Sequence, residues 1–168
     1  SASTMNRERG FIEALSENYP DIRLVSSNQY GGATTESAYQ ASENLLASLR
    51  TQEGEITIDG IFCPNESTSF GMLRALQDSG LAGNVKYVGF DSSERLVKAL
   101  KEADMHGLVL QDPINMGYLG VKTALKCIDG HSVPARIDTG SKVATAENME
   151  DPEIKRLLEL EYKKWLNE

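Results

Sequence analysis

Short apolar runs alternate along this chain with longer segments in which apolar residues recur every three or four positions. The runs have the length of strands and predict them at residues 21–26, 56–63, 85–90 and 107–110, while residues 137–145 look extended. An Asp59-Gly60 turn signal lies inside the second run. Because strand and helix alternate, we expect an α/β fold, a parallel sheet with helices on both faces.

The intervening segments have the spacing of amphipathic helices, and several begin at residues that favour helix N-termini. Thr34 or Thr35 is placed to cap one helix, and Asn65 opens the next. The predicted helices run from Arg9 to near Pro20, from that threonine pair to Leu49, from Asn65 to Gly80, over Glu94–Lys101, over residues 114–128, and from Asp151-Pro152 through an apolar stripe of Ile154, Leu157, Leu158, Tyr162, Trp165 and Leu166.

Composition and charge narrow the class of protein. The chain has 168 residues, of which 40% are hydrophobic and 25% charged, enough for one globular domain. Its formal net charge of −8 and its lack of a basic cluster argue against nucleic acid or an anionic membrane surface as a partner. No apolar run approaches transmembrane length, and the first residues contain no signal-peptide core, although a mature secreted chain would look the same.

Signatures of catalysis and of metal binding are largely absent from the sequence. There is no G-x-G-x-x-G, no Walker A loop, no G-x-S-x-G and no H-E-x-x-H. Both histidines, His106 and His131, fall in loop-like positions, and both cysteines, Cys63 and Cys127, lie on apolar segments. We therefore expect two buried free thiols, no metal site and no catalytic centre.

Polar side chains follow the predicted strands at the point where each strand ends. Asn65 comes after the run 56–63, Asp91 after 85–90 and Gln111 after 107–110, while Arg7 precedes the first predicted helix, where a preceding strand would end. Each alone is typical of a cap or a surface group, and an aspartate before a helix is most often an N-cap. Together, at the ligand-binding edge of a parallel sheet, these donors and acceptors favour recognition of a neutral polyhydroxylated ligand.

Several longer segments carry a family resemblance. They are R-E-R-G-F at 7–11, E-N-L-L at 43–46, P-N-E-S-T-S-F-G-M-L-R-A-L at 64–76, V-G-F-D-S-S at 88–93, Q-D-P-I-N-M-G-Y-L-G-V at 111–121 and I-D-T-G at 137–140. In this order they resemble the C-terminal portion of a type I periplasmic sugar-binding protein, the ribose/galactose-type solute receptor of ABC importers. The resemblance implies a periplasmic or extracytoplasmic receptor without cofactor or catalysis, which binds a monosaccharide between two lobes. It delivers the sugar to an ABC transporter permease, which is its only contact with the membrane.

The resemblance also implies a role for each polar residue at the strand ends. Arg7 matches the arginine that donates to sugar hydroxyls, and Asp91 matches the aspartate that accepts from two of them. Asn65 matches the asparagine at the start of its helix, and Gln111 matches the glutamine at the crossover to the other lobe. The sequence departs from the ribose-type pattern at the stacking aromatic, since Ala33 occupies the aligned position and Tyr30 is the nearest aromatic residue.

A division of the chain follows from the same resemblance. Residues 1–112 match an incomplete C-terminal sugar-binding lobe, 113–135 a crossover helix that belongs to the N-terminal lobe, and 136–168 a return segment with the C-terminal helix. The family's N-terminal lobe and the first, central strand of its C-terminal lobe have no counterpart in the sequence. We therefore expect a fragment that either self-associates to cover unpaired strand edges and an apolar helix face, or does not fold as the family does.

Three other functions remain open on the sequence. The effector domain of a LacI-type transcription regulator shares the R-x-x-G-F and G-F-D segments, but usually has a proline-containing segment where residues 80–86 read G-L-A-G-N-V-K. A receptor for a furanosyl autoinducer is a second alternative. A small α/β hydrolase or transferase that uses Asp91 is disfavoured, because no partnered nucleophile or base accompanies that carboxylate.

Overall fold

A four-stranded sheet organises the computed structural model, which describes residues 1–159. The strands are β1 (Gly60–Phe62), β2 (Lys86–Phe90), β3 (Gly107–Leu110) and β4 (Lys142–Ala144), and they lie side by side in chain order. β1, β2 and β3 pair in parallel, and β4 is antiparallel to β3. The predicted α/β fold with a mostly parallel sheet is confirmed, and the strand 107–110 has its predicted bounds.

Six helices connect the strands or flank them within the described residues. They are α1 (Ala2–Asn18), α2 (Thr35–Ser48), α3 (Glu66–Asp78), α4 (Glu94–Lys101), α5 (Pro113–Ile128) and α6 (Pro152–Leu158). Thr34 caps α2 and Asn65 caps α3, as predicted. The remainder of the C-terminal apolar stripe, Tyr162, Trp165 and Leu166, lies outside the described residues. No helix described within residues 1–159 is long and apolar enough to cross a membrane.

The hydrophobic core lies between the sheet and the helices α3, α4 and α6. Its most enclosed side chains come from the sheet, α3 and α4 and include Leu76, Tyr87, Leu96, Leu100 and Leu108, each 0% exposed. Helix α2 covers α3 from outside at a close crossing, because a Cβ added at Gly71 would lie 2.7 Å from the Cβ of Ala38. A glycine is therefore required at residue 71 for the two helices to approach this closely.

The predicted strand at residues 21–26 is wrong. Residues 19–34 form neither helix nor strand, and Ile22, Leu24 and Val25 are 56%, 43% and 47% exposed. A strand needs a neighbour to satisfy its backbone groups, and none of the four strands pairs with this segment.

Other predicted elements are shorter than expected, or longer. The run 56–63 keeps only β1 as a strand, with Ile56 in an isolated bridge to Arg50 beyond the Asp59-Gly60 turn. The extended segment 137–145 contains only the three residues of β4. Helix α1 begins at Ala2 instead of Arg9, because the Ser1 hydroxyl accepts the Thr4 N–H and starts the helix earlier.

The prediction of two buried thiols is half wrong. Cys63 is 7% exposed at the end of β1, but Cys127 is exposed on α5. Helix α5 has no buried residue along its sixteen positions, so its apolar face does not reach the core. An apolar stripe predicts which face of a helix is favoured for burial, but not whether another element packs on that face.

Candidate functional site

Arg7 is the centre of a cluster at the carboxyl ends of the parallel strands. It lies on α1, and not ahead of the first helix as the sequence predicted. Its Nη1 donates to the Pro64 carbonyl at 3.0 Å, and its Nη2 donates to Gln111 Oε1 at 2.8 Å. The guanidinium carbon lies 3.8 Å from the centroid of the Phe90 ring. One side chain thus joins the segments that follow β1 and β3 with the end of β2.

Gln111 lies directly after β3, and its contact with Arg7 determines how its amide is oriented. A guanidinium has donors only, so the amide oxygen must face Arg7 and the NH₂ group must point elsewhere. The amide is therefore a donor toward any ligand that lies beside it. Arg7 and Gln111 together supply the donor side of the cluster.

Asp91 supplies the anionic acceptor. Its backbone has φ of +73°, a left-handed conformation that is rare for residues other than glycine, and its N–H donates to the Val109 carbonyl at 2.9 Å. Burial raises the pKa of the Asp91 carboxyl, the positive charge of Arg7 opposes that rise, and the negative charge of Glu66 adds to it. The backbone N–H of Glu66 donates to the carboxylate and also lowers its pKa. A strained, partly desolvated carboxylate beside an arginine is typical of a ligand-binding position.

Asn65 is engaged in capping α3. Its Oδ1 accepts the Thr68 N–H at 3.0 Å and the Ser67 hydroxyl at 2.9 Å. Asn65 is therefore a helix cap, as its position before α3 predicted, and any contact with a ligand would be made in addition to capping. Asn65 directly follows Pro64, whose carbonyl holds Arg7, so it lies at the edge of the cluster.

Tyr30 makes none of the contacts that join the cluster. Its side chain is 87% exposed in the irregular segment 19–34. Its neighbour Gly31 packs near Thr68 in the first turn of α3, because a Cβ added at Gly31 would lie 2.9 Å from Thr68 Cγ2. Tyr30 is thus placed near the side of Asn65, and its role as a stacking aromatic stays a prediction.

Phe90 and Ser69 are parts of the site that the sequence did not indicate. Phe90 reads as a core residue of β2, and it is 5% exposed, but it also carries the Arg7 guanidinium. The fully buried Ser69 accepts the Phe90 N–H on its Oγ at 2.8 Å, and its carbonyl accepts the Tyr87 hydroxyl at 2.6 Å. The adjacency of Phe90 to Asp91 in the G-F-D segment was the only available signal.

An open cleft of about 930 Å³ lies among α2, α3 and the start of α4. It is lined by Glu36, Glu66, Phe70, Arg74 and Arg95 among others, but by none of Arg7, Asp91 and Gln111. Its charged groups are engaged with protein neighbours, since Arg74 pairs with Glu36 at 3.1 Å and Arg95 covers the Phe70 ring. Within residues 1–159, no group of three or more His, Cys, Asp and Glu side chains is placed to hold a metal ion.

Comparisons of sequence and fold find similarity to sugar-binding proteins. The chain is 32% identical, over 85% of its length, to the ribose import binding protein of Haemophilus influenzae. Its fold matches a carbohydrate-transporter solute-binding protein of Agrobacterium radiobacter in complex with D-arabinose, with a TM-score of 0.78 and 33% identity over 89% of this chain. It also matches an ABC transporter solute-binding protein of Agrobacterium vitis bound with α-D-tagatopyranose, with a TM-score of 0.81 and 27% identity over 92% of this chain.

The chain spans about half the length of these relatives. It covers 45% of the Haemophilus protein, and 48% and 49% of the two Agrobacterium chains. A family model described as a periplasmic binding protein domain matches residues 1–132. On this match and on the agreement of fold, the chain belongs to the periplasmic binding protein domain family.

Proposed function

We propose that this chain supplies one wall of a monosaccharide site in a solute receptor of an ABC-type importer. The proposal rests on the cluster in which Arg7 bridges the segments after β1 and β3 and lies beside Asp91. Asp91 would accept from two sugar hydroxyls, while Arg7 and the Gln111 amide would donate to others. Asn65 and Tyr30 would border the same ligand at the side of α3.

The site chemistry favours a neutral polyhydroxylated ligand over a charged one. An anionic ligand would be repelled by Asp91, and a cation would meet the charge of Arg7. The names of the matched relatives, which refer to ribose, arabinose and tagatopyranose, agree with a pentose or hexose. Catalysis is not part of the proposal, since the groups that act on the Asp91 carboxylate are Arg7 and Glu66 and include no nucleophile.

The division of the chain belongs to the same proposal. Residues 1–112 would form the sugar-binding lobe, helix α5 within 113–135 would pack on a second lobe, and 136–168 would return to the first. The complete absence of buried residues in α5 supports an additional packing partner. Sugar bound between the two lobes would favour the closed form, which would dock on the permease in a periplasmic or extracytoplasmic location.

The LacI-type regulator and the furanosyl autoinducer receptor would use the same sheet edge. The relatives reported above are named for sugar import or sugar binding, which supports the importer receptor over either alternative. Binding of the chain to duplex DNA would favour the regulator, and preference for a furanosyl ligand over pentoses and hexoses would favour the autoinducer receptor.

Titration calorimetry with a panel of pentoses, hexoses and pentitols tests the proposal. We expect at least one sugar to bind, and Asp91→Asn to weaken that binding at least tenfold. Asp59→Asn is the matched control, because Asp59 is an exposed aspartate that precedes β1 at the opposite edge of the sheet. Affinity would be weak because only one wall is present, and each missing charge-assisted hydrogen bond costs roughly 1.5–3 kcal/mol.

Equal loss of affinity in Asp59→Asn and Asp91→Asn would place the ligand elsewhere. Failure of every sugar in the panel to bind would refute the proposed function.

Self-association is a separate expectation that the exposed surfaces support. Helix α5 presents Val121, Leu125 and Ile128, which are 65%, 57% and 80% exposed. Sedimentation at several concentrations should show a dimer that Leu125→Glu disrupts, because a buried carboxylate in an apolar contact is costly. A monomer at all concentrations would contradict this expectation but would leave the sugar site untouched.

A further inference from the structure

The orientation of Arg7 depends on contacts made by its own side chain. Helix α1 has no buried residue, so packing of the helix alone does not fix where its side chains point. The guanidinium donates two hydrogen bonds from its Nη atoms, one to the Pro64 carbonyl and one to the Gln111 side chain. The third contact is the face of the Phe90 ring, 3.8 Å from the guanidinium carbon.

Phe90 is held more firmly than Arg7. Its side chain is 5% exposed at the end of β2, and its N–H donates at 2.8 Å to the hydroxyl of Ser69 on the neighbouring helix α3. Ser69 is itself 0% exposed, and its carbonyl accepts the hydroxyl of the equally buried Tyr87. Phe90 is therefore held by the buried core, whereas Arg7 lies on a helix that has no buried residue.

We propose that Phe90 is a positioning residue for Arg7. The buried Phe90 ring holds the Arg7 guanidinium in the plane in which it reaches both Pro64 and Gln111. A planar guanidinium stacks on an aromatic face while its in-plane N–H groups remain available as donors, which an ammonium cannot do. The ring thus restricts the guanidinium to one plane without using any donor. Phe90 acts through Arg7, and contact between its ring and the ligand is not required.

The consequence for binding rests on the proposed function. An arginine that is already oriented loses less side-chain entropy when a sugar hydroxyl binds to it. Replacing Phe90 with leucine keeps an apolar side chain in the core but removes the aromatic face. If the energy of the cation–π contact is lost from sugar binding, Phe90→Leu should weaken sugar affinity about three- to thirtyfold.

Proton NMR of the ¹⁵N-labelled chain tests the positioning without any ligand. Protons above the face of an aromatic ring are shielded, so the Arg7 side-chain protons should resonate upfield of those of Arg9 and Arg50, whose contacts are with Glu13 and with the Gly54 carbonyl and not with a ring. The shift should disappear in Phe90→Leu and persist in Phe90→Tyr. Phe70→Leu is the matched control, because Phe70 carries Arg95 at 4.8 Å in the cleft outside the cluster, and it should leave the Arg7 signals unchanged.

The wild-type spectrum is decisive even if Phe90→Leu does not fold. Arg7 side-chain protons that resonate at the positions of those of Arg9 and Arg50 in the folded wild-type chain would overturn the proposal. So would an upfield shift that Phe90→Leu, once folded, retains in full.

A double-mutant cycle on sugar affinity supplies the second readout. Arg7→Lys keeps the charge but loses the planar group that stacks, so Phe90→Leu should cost little in that background and severalfold in the wild type. Additive losses would contradict a role that acts through Arg7. If the wild-type chain binds no sugar, the proposed function fails, whereas the NMR shifts still decide whether Phe90 positions Arg7.

Discussion

The helices on the sheet and the helices beside it differ in how much they bury. Six of the thirteen residues of α3 and four of the eight residues of α4 are buried, whereas α1 and α5 have no buried residue among seventeen and sixteen. Each of the four helices carries apolar residues. The difference is that α3 and α4 pack on the sheet, while the apolar face of α5 is buried by no other part of residues 1–159. The comparison distinguishes helices that contribute to the core, α3 and α4, from helices that do not, α1 and α5.

The candidate site lies on the boundary between these two regions. Asp91 and Phe90 belong to the packed sheet, Arg7 belongs to α1, and Gln111 leads through Asp112 into α5. Contacts of Arg7 with Pro64, Phe90 and Gln111, and a stack of Phe11 on Phe62 at 4.5 Å, tie α1 to the strands. A ligand that strengthens the contacts of Arg7 would link α1, which has no buried residue, more firmly to the packed sheet.

The largest expected effect compares one leucine from each region. Leu76→Ala, at a position 0% exposed in α3, should lower the free energy of unfolding by about 2–5 kcal/mol, because it leaves a cavity in the core. Leu125→Ala, at a position 57% exposed in α5, should change it by no more than about 0.5 kcal/mol. Urea unfolding at a concentration where the chain is monomeric measures both. Equal losses would mean that α5 is packed on the core.

Asp91→Asn should separate function from stability. Loss of a charge-assisted acceptor should weaken sugar binding by about 1.5–3 kcal/mol, which is at least tenfold. Stability should be retained or should rise, because asparagine tolerates the left-handed backbone and removes a partly desolvated charge. Calorimetry with sugar and urea unfolding without it measure the two effects. A clear loss of stability with unchanged sugar affinity would make Asp91 a structural residue.

The same variant predicts a dependence on pH. Burial raises the pKa of Asp91 in the folded state, so between its ordinary value and the raised one the folded chain keeps a proton that the unfolded chain has lost. Wild-type stability therefore falls as the pH rises through this window, while Asp91→Asn does not titrate there. The stability difference in favour of Asp91→Asn should grow across the window and then level off. A difference that shrinks with rising pH would show that Arg7 stabilises the carboxylate more than burial destabilises it.

A smaller effect is expected where α6 meets the start of α5. Arg156 Nη2 pairs with Asp112 Oδ2 at 2.8 Å, and the Asn115 N–H and this pair hold the pKa of Asp112 below its usual range. That contribution to stability is present above the ordinary pKa of an aspartate and is lost as the pH falls through the lowered value. Arg156→Gln should therefore cost up to about 1 kcal/mol at neutral pH and less in acid.

Lys155→Gln is the control for this pair. Lys155 lies on the same helix and pairs with Glu150, but it does not contact the segment after β3. An equal or larger cost in Lys155→Gln would show that net charge, and not the link to Asp112, is responsible.

The smallest effect on stability is expected at Tyr30. Tyr30→Ala should change the free energy of unfolding by less than about 0.5 kcal/mol, because the side chain is 87% exposed. Sugar affinity in this variant decides whether Tyr30 stacks on the ligand. A loss of affinity without a loss of stability would support the stacking role, and unchanged affinity would remove Tyr30 from the site.

Local sequence signals predicted the packed region well. The strand Gly107–Leu110 and the helix Glu94–Lys101 have the predicted bounds, and Asn65 caps α3 as expected. In each of these, the residues that specify the element also bury its apolar side on the sheet. Pattern and packing therefore agree, and the pattern alone is sufficient.

Prediction from the sequence failed where an element depends on a neighbour that the described residues do not supply. Residues 21–26 have the composition of a strand but form none, because hydrogen-bonded pairing is not a property of the segment itself. Cys127 lies on an apolar stripe but is exposed for the same reason. At the site, residue types indicated Arg7, Asp91 and Gln111, but the ring of Phe90 under Arg7 is a tertiary contact with no signature in the sequence.

Backbone-amide NMR during a sugar titration tests the central claim most directly. The claim is that a sugar binds where the parallel strands end, beside the residues that Arg7 joins. It predicts saturable shift changes centred on the cluster residues Arg7, Asn65, Asp91 and Gln111. The residues that line the open cleft, such as Phe70 and Arg74, should be unaffected. Shift changes centred on Phe70 and Arg74 would contradict the claim. So would the absence of shift changes at the highest soluble concentration of every sugar in the panel.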